Sequence, residues 1–423
     1  MITLLETPAD VARGDVTGGD GDVNPRRLRA GHAPALFGGF ALASHPPHAF
    51  AAWRRDSGGM DSIDAFQWDV VVVGASFAGA ACALAARRAG LRVCVLERKR
   101  DPGIRLHTTG IIVGETADTT WLGRIPGEHT HRVERVRLYA PDLRSLSLQS
   151  PGYYFLTTDT PNAMRWLADQ LRAEGVDLRL MQSFTDARPA GEGWQVDGLG
   201  RTRWLVGADG AKSRVAVRAG LGRVRDFLYG VEYEFAGASL DDPGALHCFI
   251  SKRHAPGYIG WAAQNPTGVQ FGVAFRHRTS RTGTPDIDGL LQQVGPLLGL
   301  RPELRPSATR AGLIPCGGPV APIAAPGVIL TGDAAGIVSP VTAGGIHSAW
   351  HHGWAVGEAI GRHGEAGGTC PTRVAVAAAP TFRTKRALRW LFDHAQMDWP
   401  FDLLLRTPPL RWAAEQVYFR SRA

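Results

Sequence analysis

The chain reads as an α/β protein built on a parallel sheet. Three stretches in fixed order carry that reading: residues 69–98 (DVVVVGASFAGAACALAARRAGLRVCVLER), 207–214 (GADGAKSR) and 330–349 (LTGDAAGIVSPVTAGGIHSA). The first is a βαβ unit of about 30 residues. Val70 to Val73 are too few and too β-branched for a helix, and form a buried parallel strand. Gly74 makes the strand-to-helix turn, and Gly79 lets the helix approach the strand. Between them lie Ser76, Phe77 and Ala78, so the loop reads GxSxxG, a small hydroxyl replacing the middle glycine. The helix N-terminus then offers unpaired N–H groups to a pyrophosphate. The second strand ends at Glu97-Arg98, where a carboxylate some ~20 residues past the glycines suits ribose hydroxyls.

The other two stretches decide which dinucleotide. Short strands at 204–207 and 328–331 open onto Asp209-Gly210 and Gly332-Asp333. A carboxylate at a strand's carboxyl end, beside a Gly/Ala turn, suits a polyhydroxyl chain. Pro340 begins the next segment. Gly344, Gly345 and Ile346 then start a helix whose N–H groups would face the negative edge of a reduced flavin ring. The combination selects FAD.

Along the chain, the nucleotide-binding domain is expected at 60–225 and 310–365, interrupted by a substrate-binding β region at 100–150 and 226–309. A helical cap follows at 366–423. Thr160 is the expected cap of an amphipathic helix through Glu174, with Ala163, Leu167 and Leu171 on its apolar face. Alternating runs at 229–235, 246–251, 258–262 and 269–275 predict an antiparallel sheet inserted into the Rossmann-like domain.

These motifs resemble those of FAD-dependent oxidoreductases with the aromatic-hydroxylase fold, and within them the geranylgeranyl reductase family. The shared features are the fingerprint ending in Glu-Arg, GADG-x-x-S, and GDAAG-x-x-x-P before a Gly-rich helix start. The resemblance spans roughly 60–365. It implies that Glu97 binds the adenosine ribose, that Arg105 lies near the flavin or its pyrophosphate, and that Asp209 sits near the cofactor. By the same resemblance Asp333 holds the ribityl chain, and Gly344 and Gly345 donate toward the pyrimidine edge. Ala343 replaces a family glycine, Thr108-Thr109 stand where archaeal members carry Cys, and His347 takes a slot where aromatic hydroxylases often have Asn. The PGYIGW…FGVA stretch looks like the family's cavity-lining aromatic motif and makes Tyr258, Trp261 and Phe271 substrate candidates. It departs after the tryptophan, at Ala262-Ala263-Gln264.

The implied reaction is reduction of carbon–carbon double bonds in an apolar, isoprenoid-like molecule, with NAD(P)H or another electron donor. A flavin monooxygenase using NAD(P)H and O2 on a small hydrophobic molecule is the competing reading. Candidates for moving a proton are His347 and Thr108, with Tyr258 and Trp261 behind them.

The remaining features narrow the class. With 423 residues, 44% hydrophobic and 20% charged, the chain has ample material for a core. Its +8 charge comes from scattered arginines without a nucleic-acid-binding signature. Five cysteines without a CxxC pair argue for a reducing, cytoplasmic setting. His347, His351 and His352 share a helix, but only Glu358 lies near them in sequence, so no metal is expected. No apolar run is long enough to cross a bilayer. Residues 1–59 lack periodicity and read as a disordered or non-native extension; their Arg26-Arg27 pair only loosely imitates an export signal. The tail interleaves Trp390, Trp399, Trp412 and other aromatics with Arg383, Lys385, Arg386, Arg389, Arg406, Arg411, Arg420 and Arg422. That pattern fits either a helical cap with aromatics inward and arginines solvated, or a peripheral membrane contact.

Overall fold

The structure is a computed structural model, and it describes residues 65–277, 284–364 and 368–419. The expectations for 1–59, and for Arg420 and Arg422, lie outside the described residues.

Strand Trp68–Val73 is the centre of the nucleotide sheet. It pairs in parallel with Val93–Glu97 on one side and Gly200–Gly207 on the other. Asp177–Leu180 and Val328–Leu330 extend the parallel array at its two ends. The four valines are buried because both faces are covered. Val70 and Val72 enter a cluster with Leu84 and Trp350, while Val71 and Val73 enter another with Leu205 and Leu330.

Helices Phe77–Arg88 and Ile346–Gly361 cover the first of these faces and lie unusually close together. A Cβ on Gly353 would collide with the Ala78 carbonyl oxygen, and one on Gly357 with that of Cys82. Small residues on both helices therefore set their separation. The first motif and the third are locked to each other by backbone contact.

The second sheet has seven strands in the order Ala308–Pro315, Phe227–Ala236, Gly268–His277, Ile259–Asn265, Ala245–Ile250, Arg135–Tyr139, Ser145–Gln149. All its pairings are antiparallel except that between Ala245–Ile250 and Arg135–Tyr139. A three-stranded sheet, Ile112–Val113, Phe155–Thr158 and Thr130–Val133, stands separately.

Three expectations shift. Ala308–Pro315 belongs to the antiparallel sheet, so the return to the nucleotide domain comes after Pro315 and not at 310. The helix expected from Thr160 runs Thr160–Ala173, and its cap is Asp159, whose Oδ1 accepts the Asn162 N–H at 3.3 Å. Within 366–423, helix Pro371–Ala378 packs on the nucleotide domain, where His352 Nε2 hydrogen-bonds the Ala375 carbonyl at 2.9 Å. Only the later helices cover the antiparallel sheet, where Leu405, Ala414, Tyr418 and Phe419 join a cluster with Cys248 and Ala263.

Candidate cofactor and substrate site

A cavity of about 590 Å³ opens at the carboxyl ends of Trp68–Val73, Val93–Glu97, Gly200–Gly207 and Val328–Leu330. This is where open α/β sheets hold ligands. Its wall includes Gly74, Ser76, Phe77, Ala78, Glu97, Arg98, Asp209, Gly210, Gly332, Asp333, Gly345 and Ile346, together with Thr108.

Gly74 has φ +105°, and a Cβ there would strike the Ala208 carbonyl, so the first turn accepts no side chain. Ser76 caps helix Phe77–Arg88 by backbone alone, leaving its hydroxyl facing the cavity wall. Glu97 is buried; its Oε2 accepts the Ala75 N–H at 3.2 Å and its Oε1 the Lys99 N–H at 3.0 Å. The carboxylate is thereby fixed with further lone pairs available to hydroxyl donors.

Asp209 lines the cavity and also braces its own motif. Its Oδ2 accepts the N–H groups of Arg214 and Val215, at 2.6 and 3.2 Å, and so closes the GADG turn onto the following helix. Burial raises its pKa. Asp333 is enclosed by protein on every side but the cavity. Burial pushes its carboxyl up to about 6, and its carboxylate oxygens have no protein donor among the described residues. A carboxylate aimed into a hollow in this way is suited to neutral hydroxyl donors, as a ribityl chain would provide. A Cβ on Gly345 would stand 3.6 Å from Asp333 Oδ1, so the helix start and the acid form one wall.

The cavity lining is mixed in character: Glu97, Arg98, Lys99, Lys212 and Arg214 contribute charge, and Leu106, Leu313, Ile314, Val338, Ala343 and Ile346 contribute apolar surface. The donor set and the glycine cradle thus fit a flavin dinucleotide.

Some expected residues lie elsewhere. Arg105 (φ +48°), Pro340 and Gly344 do not line the cavity, and Gly79 serves packing, since a Cβ there would meet the Gly74 carbonyl. His347 is also off the wall. Its Nδ1 shares a 2.6 Å hydrogen bond with Thr116 Oγ1, and burial, with lesser contributions from His351 and Lys385, pushes its pKa down to about 3. The shift favours the neutral imidazole at physiological pH. Thr108 lines the cavity and its hydroxyl accepts the Gly110 N–H at 3.3 Å.

Tyr258 and Trp261 stand behind the wall, in a cluster with Ala343 and Ile314; the Tyr258 hydroxyl donates to the Thr342 carbonyl. The Trp261 ring lies over Gly272, and its Nε1–H donates to Glu232 Oε2 at 3.0 Å. Phe271 is corrected. Strand alternation turns it to the opposite face, under helix Ile287–Val294 with Leu290. Cys316 is buried, its Sγ accepts from Arg276 Nη1 at 3.4 Å, and burial pushes its thiol up to about 11.

Leu106, His107, Gln182, Ser183 and Phe184 line the cavity without having been singled out in the sequence. They sit on irregular segments whose approach only the tertiary fold determines. Ala343, the departure from the family glycine, keeps φ +50° while buried in the wall, so the loop holds a left-handed turn without glycine.

Comparison with known proteins agrees with this geometry. The profile of the FAD dependent oxidoreductase family matches residues 69–220. Digeranylgeranylglycerophospholipid reductase 2 of Methanothermobacter thermautotrophicus is 26% identical over 297 residues, covering 67% of this chain and 75% of that protein. Menaquinone reductase of Mycolicibacterium smegmatis is 29% identical over 306 residues, 66% of this chain and 72% of its own. Among solved structures, the geranylgeranyl bacteriochlorophyll reductase-like protein of Thermoplasma acidophilum superposes with a TM-score of 0.64 at 16% identity, covering 82% of this chain and 98% of that one. In its nucleotide-binding half the chain matches the FAD dependent oxidoreductases, and over about two thirds of its length it is similar to reductases named for geranylgeranyl lipids.

Proposed function

We propose that this protein saturates carbon–carbon double bonds of an apolar, isoprenoid-like substrate, with NAD(P)H or another donor supplying the electrons. The observation that carries the reading is a cavity lined by both charged and apolar side chains, in a chain similar over two thirds of its length to reductases named for prenyl lipids. Each double bond takes up two electrons and two protons. Bound FAD supplies hydride transfer.

The chain's own residues bind, orient and exclude water. Glu97 holds the adenosine ribose, the N-terminus of helix Phe77–Arg88 faces the pyrophosphate, and Asp333 takes the ribityl hydroxyls. The backbone at Gly345 serves the pyrimidine edge. Tyr258 ties the antiparallel sheet to the Thr342 loop, and with Trp261 it backs the apolar wall against which the substrate lies. Of the four side chains considered for proton movement, Thr108 alone borders the cavity.

The test is to incubate purified holoprotein anaerobically with NADPH or dithionite and a prenyl lipid, followed by mass spectrometry. The expected product is heavier by pairs of hydrogens. An unchanged lipid, or a product that forms only with oxygen and carries an oxygen atom, would overturn the proposal in favour of a monooxygenase.

A further inference from the structure

The helices at 383–418 are built inside out relative to an ordinary solvated cap. Lys385 and Arg389 are buried, while Trp390, Trp399, Leu403 and Trp412 are 63%, 60%, 68% and 64% exposed. The inward groups have partners in the protein. Arg389 donates to the Gly257 carbonyl and pairs with Asp393 at 2.6 Å; Asp393 also pairs with Arg276 at 3.1 Å. These contacts, with Leu405, Ala414 and Tyr418 in the core, anchor all three helices to the antiparallel sheet by their inner faces.

The outer faces follow helical spacing. On Arg383–Ala395, the exposed Arg383 and Arg386 precede Trp390 and Leu391 by one and two turns. On Trp399–Leu404, Trp399 and Leu403 are i, i+4, and Arg406 is exposed just beyond. Each acid of the segment has a partner of its own, and Arg406 lies beside Asp142, which leaves Arg383 and Arg386 as the exposed cations next to the tryptophans. Asp393 is buried in its ion pairs, Asp398 Oδ1 accepts the Lys252 N–H at 3.0 Å, Asp402 Oδ1 accepts the Asp142 N–H at 2.9 Å, and Glu415 pairs with Arg411 at 3.0 Å. The outward surface is therefore apolar and cationic together.

We infer that these outer helix faces dock on an anionic phospholipid surface. Exposed tryptophans of this kind cost free energy in water and suit the headgroup boundary, where an apolar ring and an indole N–H are both served. Arg383 and Arg386 match the negative charge of such a leaflet. Among the described residues no helix is long and apolar enough to cross a membrane, so the contact is peripheral. The inference does not depend on which reaction the cavity performs.

The test uses the full-length holoprotein sedimented with vesicles of phosphatidylcholine alone or mixed with phosphatidylglycerol. The expected result is binding to the mixed vesicles that weakens with salt. Arg383→Gln and Arg386→Gln should each lower the partition coefficient about fivefold. The triple variant Trp390→Ser, Trp399→Ser, Trp412→Ser should abolish binding while retaining bound flavin and the wild-type thermal midpoint, which separates loss of docking from loss of fold. Failure of the wild type to bind, binding indifferent to both sets of variants, or self-association through these tryptophans with no vesicle binding would each overturn the inference.

Discussion

Replacing Asp333 by Asn should make the cofactor-free protein more stable and the cofactor less tightly held. Burial raises the Asp333 carboxyl from its ordinary 3.8 to about 6. The fold therefore prefers the protonated acid. Stability is greatest below the unfolded pKa and declines as pH rises through the folded one, and then stays level. The interval corresponds to at most about 3 kcal/mol at neutral pH. Asn carries no charge to desolvate, so the apoprotein of Asp333→Asn should exceed wild type by up to that amount at pH 7, with the difference vanishing near pH 4. The holoprotein should behave oppositely. Losing charge-assisted hydrogen bonds to hydroxyl donors costs about 1.5–3 kcal/mol, a ten- to hundredfold weaker FAD affinity. Denaturant unfolding of apoprotein across pH, with FAD titration by fluorescence quenching, measures both. A variant less stable than wild type as apoprotein at neutral pH, or one with unchanged FAD affinity, would refute the assignment of Asp333 to the cavity wall.

Three further outcomes follow from the geometry. Ala343→Gly relieves a left-handed backbone of φ +50° and should raise stability by about 1 kcal/mol, read as a higher thermal midpoint; a lower one would contradict the strain. Gly353→Ala should lower stability by roughly 1–3 kcal/mol through collision with the Ala78 carbonyl, although helix propensity alone favours Ala by about 1 kcal/mol; a stabilised variant would refute backbone contact between the helices. Trp261→Phe removes the indole donor from buried Glu232, whose carboxyl burial already pushes up to about 7, and should cost about 1–3 kcal/mol. That loss should be greatest above neutrality, where the carboxylate is charged; a pH-independent change below 0.5 kcal/mol, about the noise of surface substitutions, would argue against the pair.

The nucleotide half of the fold was legible because its signals are local. Val70 to Val73, Gly74 and Glu97 follow one another within a single βαβ unit, and their backbone geometry is dictated by neighbours in sequence. The GDAAG turn was legible for the same reason, which brought Asp333 to the cavity. Roles decided by tertiary partners were not. Asp209 lines the cavity, yet its Oδ2 also closes the turn through the Arg214 and Val215 N–H groups, a role its motif did not announce. Phe271 and Trp261 lie on strands of similar composition, and only register shows that their side chains point to opposite faces. His347 was a candidate for moving a proton, in a slot where aromatic hydroxylases often have Asn. Burial against Thr116 and His351 gives it a neutral, positioned ring instead. Composition left open whether the tail's aromatics turn inward or face a membrane; Phe382, Tyr418 and Phe419 turn inward, while Trp390, Trp399 and Trp412 stay outside.

The central claim is tested most directly by a single-turnover measurement under strict anaerobiosis. Holoprotein is reduced stoichiometrically, mixed with a prenyl lipid, and followed by visible absorbance. Return of the oxidised cofactor's absorbance, with one double bond lost per cofactor, is the expected result. Absorbance that stays bleached until air is admitted, with the lipid intact, would contradict it.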